Sequence, residues 1–548
     1  MFRLSARLRA AAALFAAALV LSALSCSGDG DKSDDPSPSA TPTEAESTAS
    51  PDGASLSADV IDLAEGAARL TVFGENDSDF PTGSTSLALG DFNGDGDDDL
   101  LIGAPQADGP DESRAEGGEA YVIFGPLEGE LDLAAQDPDV TILGALPGDS
   151  LGYSVLAGDL NGDGTDDVLV GATGVTAGFD PRTDQGRVYV FYGGSNLKEV
   201  YDLAEDVFDF TVTGAEGFSR LSHSMDMGDV NGDGAQDLVV GAPFAGREPG
   251  SAPGSPRTGL GEVYIIFGSP ELSGEKNIAA LQQDVLLSGR QGPPEFGEFG
   301  AAVTVADLDG DGTDDIAIGA YRSNPSGERP ASGAVYLFYG RSDWPARMTV
   351  QNEEQDSTLI GAVQGAAVGL PLATGDFNAD GIADLAVGGQ TETVATTAAS
   401  GAVRIFFGGS GLDGTIDLAT EDASVTIPGR HPGNLLPSSL AAADLDGDGD
   451  DELLIGAHLS GEDEGRRSAG LVYVVTGRSD LPDNIDLGGP ERARPLAGAA
   501  VDDSLGNVVI AGPSSEDGGV IAVLAPGASA GEERPNAGAV YVVPFTLP

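Results

Sequence analysis

The sequence predicts an all-β fold: a seven-bladed β-propeller of four-stranded antiparallel blades, closed by the N-terminal strand completing the last blade. Three observations carry the prediction. The acidic loop Asp91-Phe92-Asn93-Gly94-Asp95-Gly96-Asp97-Asp98-Asp99, which runs straight into the apolar strand Leu100-Leu101-Ile102-Gly103-Ala104-Pro105, returns at Asp159, Asp229, Asp307, Asp376 and Asp444, about 70 residues apart. A fixed period of this kind is a repeat architecture. Each unit also holds four short apolar segments, and one such segment stands ahead of the first unit with no unit of its own.

In the second unit the four segments are Tyr153–Ala157, Val168–Ala172, Arg187–Tyr192 and Phe210–Thr213, here named A to D. They are short, β-branched or aromatic, and bounded by Gly and Asp, as strands are. So small a sheet cannot bury both faces alone, so neighbours must stack on one another. The C segment recurs at residues 120–124, 188–191, 263–267, 335–338, 403–406 and 472–475, and a seventh copy, Val540–Val543, lies near the C-terminus. A B-like segment, Val520–Ala525, precedes that copy, but Gly512–Gly519 has lost most of the acids. The count is seven units and six intact acidic loops.

The D segments decide closure. They follow the first six C segments at Val140–Leu143, Phe210–Thr213, Val285–Ser288, Ser357–Ile360, Val425–Pro428 and Arg494–Ala497, but the chain ends after the seventh. The unclaimed Leu70-Thr71-Val72-Phe73 precedes the first A segment, and Ile61-Asp62-Leu63-Ala64 before it matches Leu131-Asp132-Leu133-Ala134. The N-terminal strand is therefore expected to complete the last sheet, giving a closed ring rather than an open solenoid, which would have no use for a displaced strand.

Composition fits this reading and removes some functions. Gly is abundant (81) and aromatics are scarce (6%), which suits short strands and tight turns. The formal charge of −63 leaves no basic surface for nucleic acid. Cys26 is the single cysteine, so no intramolecular disulfide can form, and something else must hold the fold.

Residues 1–25 read as an export signal, with Arg3, Arg7 and Arg9 before an apolar run that is too short for a permanent membrane helix. The segment Leu21-Ser22-Ala23-Leu24-Ser25-Cys26 resembles the lipobox of bacterial lipoproteins, which implies lipidation of Cys26 and a membrane anchor at the outer membrane or cell surface. Residues 26–57 are rich in Ser, Thr, Pro and Asp and read as a disordered tether. The propeller is expected to occupy residues 58–548.

Counted from its first Asp, each loop places side-chain oxygens at positions 1, 3, 5 and 9. The sets are Asp91, Asn93, Asp95 and Asp99; Asp159, Asn161, Asp163 and Asp167; Asp229, Asn231, Asp233 and Asp237. Then come Asp307, Asp309, Asp311 and Asp315; Asp376, Asn378, Asp380 and Asp384; and Asp444, Asp446, Asp448 and Glu452. Hard oxygens at alternate positions of a tight loop suit calcium, and the absence of His and Cys disfavours zinc or copper. Position 7 is Asp97, Thr165, Ala235, Thr313, Ile382 and Asp450, an indifference to side chain expected where a backbone carbonyl is the ligand. An EF-hand needs Glu at position 12, where these loops hold Ile or Val of strand B. About six calcium ions are expected.

The combination resembles the FG-GAP repeats of integrin α-subunit propellers, with Leu151-Gly152, Phe299-Gly300 and Gly103-Ala104-Pro105 at the name-giving places. The resemblance implies calcium in the six loops, and a ligand face opposite them. That face carries the longer loops 106–119, 173–186, 244–261, 322–332 and 459–469, with Arg247, Arg257, Tyr321, Arg322, Arg466 and Arg467, each read as solvated surface rather than an anchor, so that no binding site is named. Long loops on a rigid scaffold are where binding residues gather.

The expected function is an adhesion or protein-interaction module, anchored by lipid, with an extracellular or envelope protein as partner. A glycan-binding propeller is the alternative, and a polysaccharide-processing enzyme a more distant one. No catalytic residue is expected: His223, His431 and His458 fall at unrelated places, and Ser222-His223-Ser224 lacks the setting of a nucleophile elbow.

Overall fold

The computed structural model describes residues 60–545, apart from 81–86, 111–112, 175–184, 206, 216–218, 247–259, 291–297, 394–399, 431–434, 461–467, 490–493, 516–517 and 532–533. The signal, Cys26 and the tether lie outside the described residues, as do Arg247, Arg257, His431, Arg466 and Arg467.

The chain forms seven sheets arranged as the blades of a propeller, with each A strand innermost. In blade 1 the strands are Leu87–Gly90, Asp99–Ala104, Glu119–Ile123 and Val140–Leu143, paired antiparallel in that order. Blade 7 is built from Val508–Ser515, Gly518–Ala525 and Ala539–Phe545, and its D strand is Leu70–Phe73. Leu70 pairs with Val542 and Phe73 with Ala539, antiparallel, so the N-terminal strand closes the ring as expected.

Each of six blades carries a fifth strand that the sequence reading did not include, and this one runs parallel to D. Val200–Asp202 lies beside the D strand of blade 1, Gly414–Asp417 beside that of blade 4, and Gly129–Asp132 beside Leu70–Phe73 of blade 7. In blade 5 the contact shrinks to one bridge, Thr426 to Asn484. The strand is lent by the following unit, whose C–D connection swings outward across the seam. Ile61–Asp62 does the same for blade 6, so the two N-terminal segments serve two different blades.

The recurring Asp-Leu-Ala explains why the lent strand stops where it does. The Asp62 carboxylate accepts the Ala64 N–H (2.9 Å) and caps a single 3-10 turn, while Leu63 is buried. Asp132, Asp202 and Asp417 make the same bond to Ala134, Ala204 and Ala419.

The core lies between blades. Seven apolar clusters fill the seven seams; the one between blades 3 and 4, for example, joins Val263, Ile265 and Leu287 to Ile316, Ile318 and Tyr336. The B strands are buried along their length, as the middle of a stacked sheet requires. Blades approach closely at paired glycines: a Cβ on Gly319 of blade 4 would lie 1.9 Å from the carbonyl oxygen of Gly369 in blade 5, itself at φ +106°. Both positions exclude any side chain.

Alternation of strand direction puts the A–B and C–D turns on one face of the ring and the B–C and D–A loops on the other. The acidic loops occupy the first face.

Candidate metal centres

Each acidic loop folds around its two end residues. Position 9 begins strand B and is fully buried in all six loops. In every loop but the third its carboxylate accepts the position-2 N–H of its own loop, as Asp99 does from Phe92 (3.0 Å), Asp384 from Phe377 (3.0 Å) and Glu452 from Leu445 (2.9 Å). The other oxygen of Asp99 accepts the N–H of Gly125 (2.8 Å), just past strand C; Gly193, Gly268, Gly340 and Gly408 donate likewise in blades 2 to 5. These glycines were missed in the sequence. Their signal is there, a Gly directly after the aromatic just past strand C: Phe124-Gly125, Tyr192-Gly193, Phe267-Gly268.

Position 1 organises the turn. Asp91 accepts the N–H of Gly94 (2.8 Å), Asp95 (3.0 Å) and Gly96 (2.9 Å), and Asp307 repeats the pattern. Position 5 is turned to the position-7 N–H, Asp163 to Thr165 (3.0 Å) and Asp380 to Ile382 (3.0 Å) among them. Asn at position 3 gives its amide to position 9, Asn161 to Asp167 (3.1 Å) and Asn378 to Asp384 (3.0 Å).

In loop 4 the carboxylates of Asp307, Asp309 and Asp315 converge, each offering an oxygen within 4.8 Å of the others, and in loop 6 those of Asp444, Asp446 and Glu452 do the same. Position 5, Asp311 or Asp448, is not part of either group. In the other four loops position 3 is Asn93, Asn161, Asn231 or Asn378, which leaves fewer carboxylates to converge.

The position-9 acids are out of balance with their surroundings. Burial pushes Asp167, Asp237, Asp315 and Asp384 up to about 7, Asp99 to about 6 and Glu452 to about 8. Neighbouring acids of the same loop add to the effect, Asp233 and Asp229 in the case of Asp237. The Asp237 Oδ2 and Glu452 Oε1 atoms are buried with no hydrogen-bond partner. Buried carboxylates crowded by other carboxylates, with an oxygen left over, fit a hard cation.

The opposite face holds a second grouping, at the inner ends of blades 2 to 4. The Tyr153 hydroxyl lies 3.3 Å from His223 Nε2, and the His223 ring stands edge-on to Phe244 at 6.3 Å. The Arg220 guanidinium covers Phe244 (5.2 Å) and makes no ion pair with a described residue, in a chain of 89 acids and 26 bases. Arg322 covers Tyr321 (5.3 Å) and pairs with buried Glu298 (2.9 Å). Tyr321 and Arg322 were noted from sequence only as solvated surface on this face; Tyr153, Phe244 and Arg220 carry no local pattern and meet only through the stacking of blades.

Ser222 Oγ and His223 Nδ1 each lack a hydrogen-bond partner, so they do not form a nucleophile–base pair. On the inner strand of blade 3, Asp226 is pushed up to about 6 by burial, and its oxygens accept the N–H groups of Met227 (2.9 Å) and Val305 (2.8 Å), tying blade 3 to blade 4.

Six segments, residues 84–123, 151–191, 223–266, 299–338, 372–406 and 436–475, match the FG-GAP repeat. A ring of seven blades with six such repeats is an FG-GAP repeat propeller. Its sequence is similar to integrin alpha subunits: 32% identity to integrin alpha-PS2 of Drosophila melanogaster, covering 44% of this chain and 15% of that protein. Integrin alpha-5 of Xenopus laevis is 31% identical over 43% of this chain and 19% of its own length. The chain is also 27% identical to phosphatidylinositol-glycan-specific phospholipase D of Rattus norvegicus, covering 71% of this chain and 45% of that enzyme. The chain thus spans less than half the length of each of these relatives.

Proposed function

We propose that this chain is a calcium-dependent adhesion or protein-interaction propeller, anchored outside the cytoplasm by a lipid on Cys26. The observation that carries the reading is the recurrent buried carboxylate at position 9, crowded by its own loop and in two loops converged with positions 1 and 3. Positions 1, 3, 5 and 9, with the carbonyl of position 7, would hold one calcium per loop: Asp97, Thr165, Ala235, Thr313, Ile382 and Asp450 serve through their backbone. Calcium would supply the positive charge that cancels the repulsion among these acids, standing in for disulfides as the cross-link of the fold. The similarity to integrin alpha subunits supports both the cation and the interaction role.

The ligand is assigned to the face opposite the acidic loops. Strand Ile61–Asp62 runs parallel to a D strand, so the chain enters it from the acidic-loop side. A tether of about 30 residues reaches on the order of 30 Å. Arg220 on Phe244, beside His223 and Tyr153, gives that face a cation with no ion pair among the described residues, set on an aromatic floor. A glycan reading draws on the same cluster, since rings and a guanidinium also suit an acidic sugar.

Two measurements test this. Titrating calcium into chelator-stripped protein is expected to show about six ions bound and a raised Tm; each site held at a hundredfold over its Kd adds about 2.7 kcal/mol. Binding of fewer than one ion per chain would sink the calcium reading. Immobilised protein is then exposed to envelope extract and a glycan panel, with calcium or chelator, beside an Arg220→Ala variant. Calcium-dependent capture of one protein, lost in the variant, supports adhesion; capture of acidic glycans alone moves the assignment to a lectin.

A further inference from the structure

The acidic loops are also joints between blades. Position 1 of a loop gives its N–H to the side chain at position 8 of the next blade: Asp91 to Asp166 (3.0 Å), Asp159 to Gln236 (2.9 Å), Asp229 to Asp314 (2.8 Å) and Asp376 to Asp451 (2.8 Å). The position-8 N–H returns to the position-1 carbonyl, as Asp314 does to Asp229 (3.1 Å) and Asp451 to Asp376 (3.0 Å). The turn after strand C of the next blade binds the position-2 carbonyl: Gly194 to Phe92 (2.8 Å), Ser269 to Leu160 (3.1 Å), Arg341 to Val230 (3.0 Å), Gly409 to Leu308 (2.7 Å) and Arg478 to Phe377 (2.9 Å). Position 2 is the residue whose N–H the buried position-9 carboxylate holds in loops 1, 2, 4, 5 and 6. Position 2 of these five loops is therefore gripped both from its own strand B and from the neighbouring blade.

Two joints lack the side-chain half of the grip. Between blades 4 and 5 position 8 is Ala383, whose N–H alone meets Asp307 (3.3 Å). Between blades 6 and 7 it is Gly519, whose N–H goes to Leu445 (3.1 Å). Gln236 shows that a neutral acceptor takes the same place as the acids.

We propose that the position-8 side chain is a positioning residue for the cation site of the preceding blade, so that cation loading of loops 1, 2, 3 and 5 is coupled to the ordering of their seams, while loops 4 and 6 take their cations without that coupling. This rests on the calcium reading above. The carboxylate at position 1 is aimed by a backbone whose N–H is fixed from across the seam, an outer-shell role for which removal typically weakens metal affinity by about 10–100-fold. The orphaned oxygens of Asp237 in loop 3 and Glu452 in loop 6 mark those two loops as places where a cation is wanted.

The test is hydrogen–deuterium exchange of the full chain with calcium and with chelator, read loop by loop, alongside calcium titration. In Asp166→Ala, calcium is expected to protect residues 91–99 poorly and one site to weaken by about 10–100-fold, with residues 159–167 still protected. Ala383→Asp is expected to do the reverse, raising calcium-dependent protection of residues 307–315. Protection lost at 159–167 and kept at 91–99 would show that Asp166 serves only its own loop, and an unchanged loop 4 in Ala383→Asp would overturn the proposal from the other side. Wild-type protein showing no calcium-dependent protection in any loop would remove the calcium reading itself, and this inference with it.

Discussion

Arg534 and Asp132 stand 402 residues apart in the chain and 2.5 Å apart in space. The same guanidinium donates to the carbonyl of Gly74 (2.6 Å), at the end of the strand that closes the ring. Arg114 holds Asp202 with two bonds (2.6 and 2.7 Å) in blade 1, and Arg329 holds Asp417 with two (2.7 and 2.7 Å) in blade 4. In each case an Arg on a B–C loop clamps the strand lent by the next unit, and the Arg holds Asp132, Asp202 and Asp417 below the usual carboxylate range. Replacing Arg534 by Ala is expected to cost about 1.5–3 kcal/mol, the range for hydrogen bonds to charged groups. Chemical denaturation measures it, and exchange at residues 70–73 should quicken more than in Arg114→Ala.

Closure by a borrowed strand makes the N-terminus indispensable. A chain beginning at residue 75 would leave the strand Ala539–Phe545 as an open apolar edge, a template for association. It is expected to aggregate, and a synthetic peptide of residues 60–74 to restore a monomer. Size-exclusion chromatography with light scattering decides; a stable monomer without the peptide would refute the dependence.

Blade 5 departs from its neighbours at one core position. Where the other blades carry Tyr121, Tyr189, Tyr264, Tyr336, Tyr473 and Tyr541, it has Arg404, paired in two bonds with Glu392, of which 2% of the side chain is exposed. Glu392→Ala strands a guanidinium that is only 13% exposed and is expected to cost about 3 kcal/mol. Arg404→Tyr is expected to cost less, since its hydroxyl can donate to Glu392 as Tyr121 does to Glu119 (2.8 Å). Urea midpoints of the two variants compare them directly.

His223 sets a pH dependence. Burial, with Arg220 adding to it, pushes its imidazole down from 6.5 to about 4. Below pH 6.5 the unfolded ring takes a proton that the folded ring refuses until about pH 4, so stability falls as pH drops through that window, by at most on the order of 3 kcal/mol. His223→Phe, which keeps a ring between Tyr153 and Phe244, is expected to flatten the Tm profile between pH 6.5 and 4 relative to the wild type. Parallel profiles would refute the assignment.

Much of the fold was legible in the residues because every blade repeats the same local problem. All seven D strands, Leu70–Phe73 included, lie where alternation and turn residues put them. The loops were legible for the same reason: a carboxylate at position 1 makes its turn with N–H groups no more than five residues away. The fifth strand was not, because Gly129–Asp132 or Gly274–Asn277 has too few apolar residues to declare itself and exists only by pairing with another unit's edge.

The sequence by itself therefore determined the number of blades, the closure and the residues of the acidic loops, all set by periodicity and short-range hydrogen bonding. Only the tertiary structure decided what crosses a seam. Asp166 facing Asp91, Arg534 facing Asp132 and Arg220 over Phe244 on a ring edge-on to His223 depend on how neighbouring sheets stack. Stacking is fixed by apolar packing summed over a whole interface, a quantity that no local pattern of residues encodes.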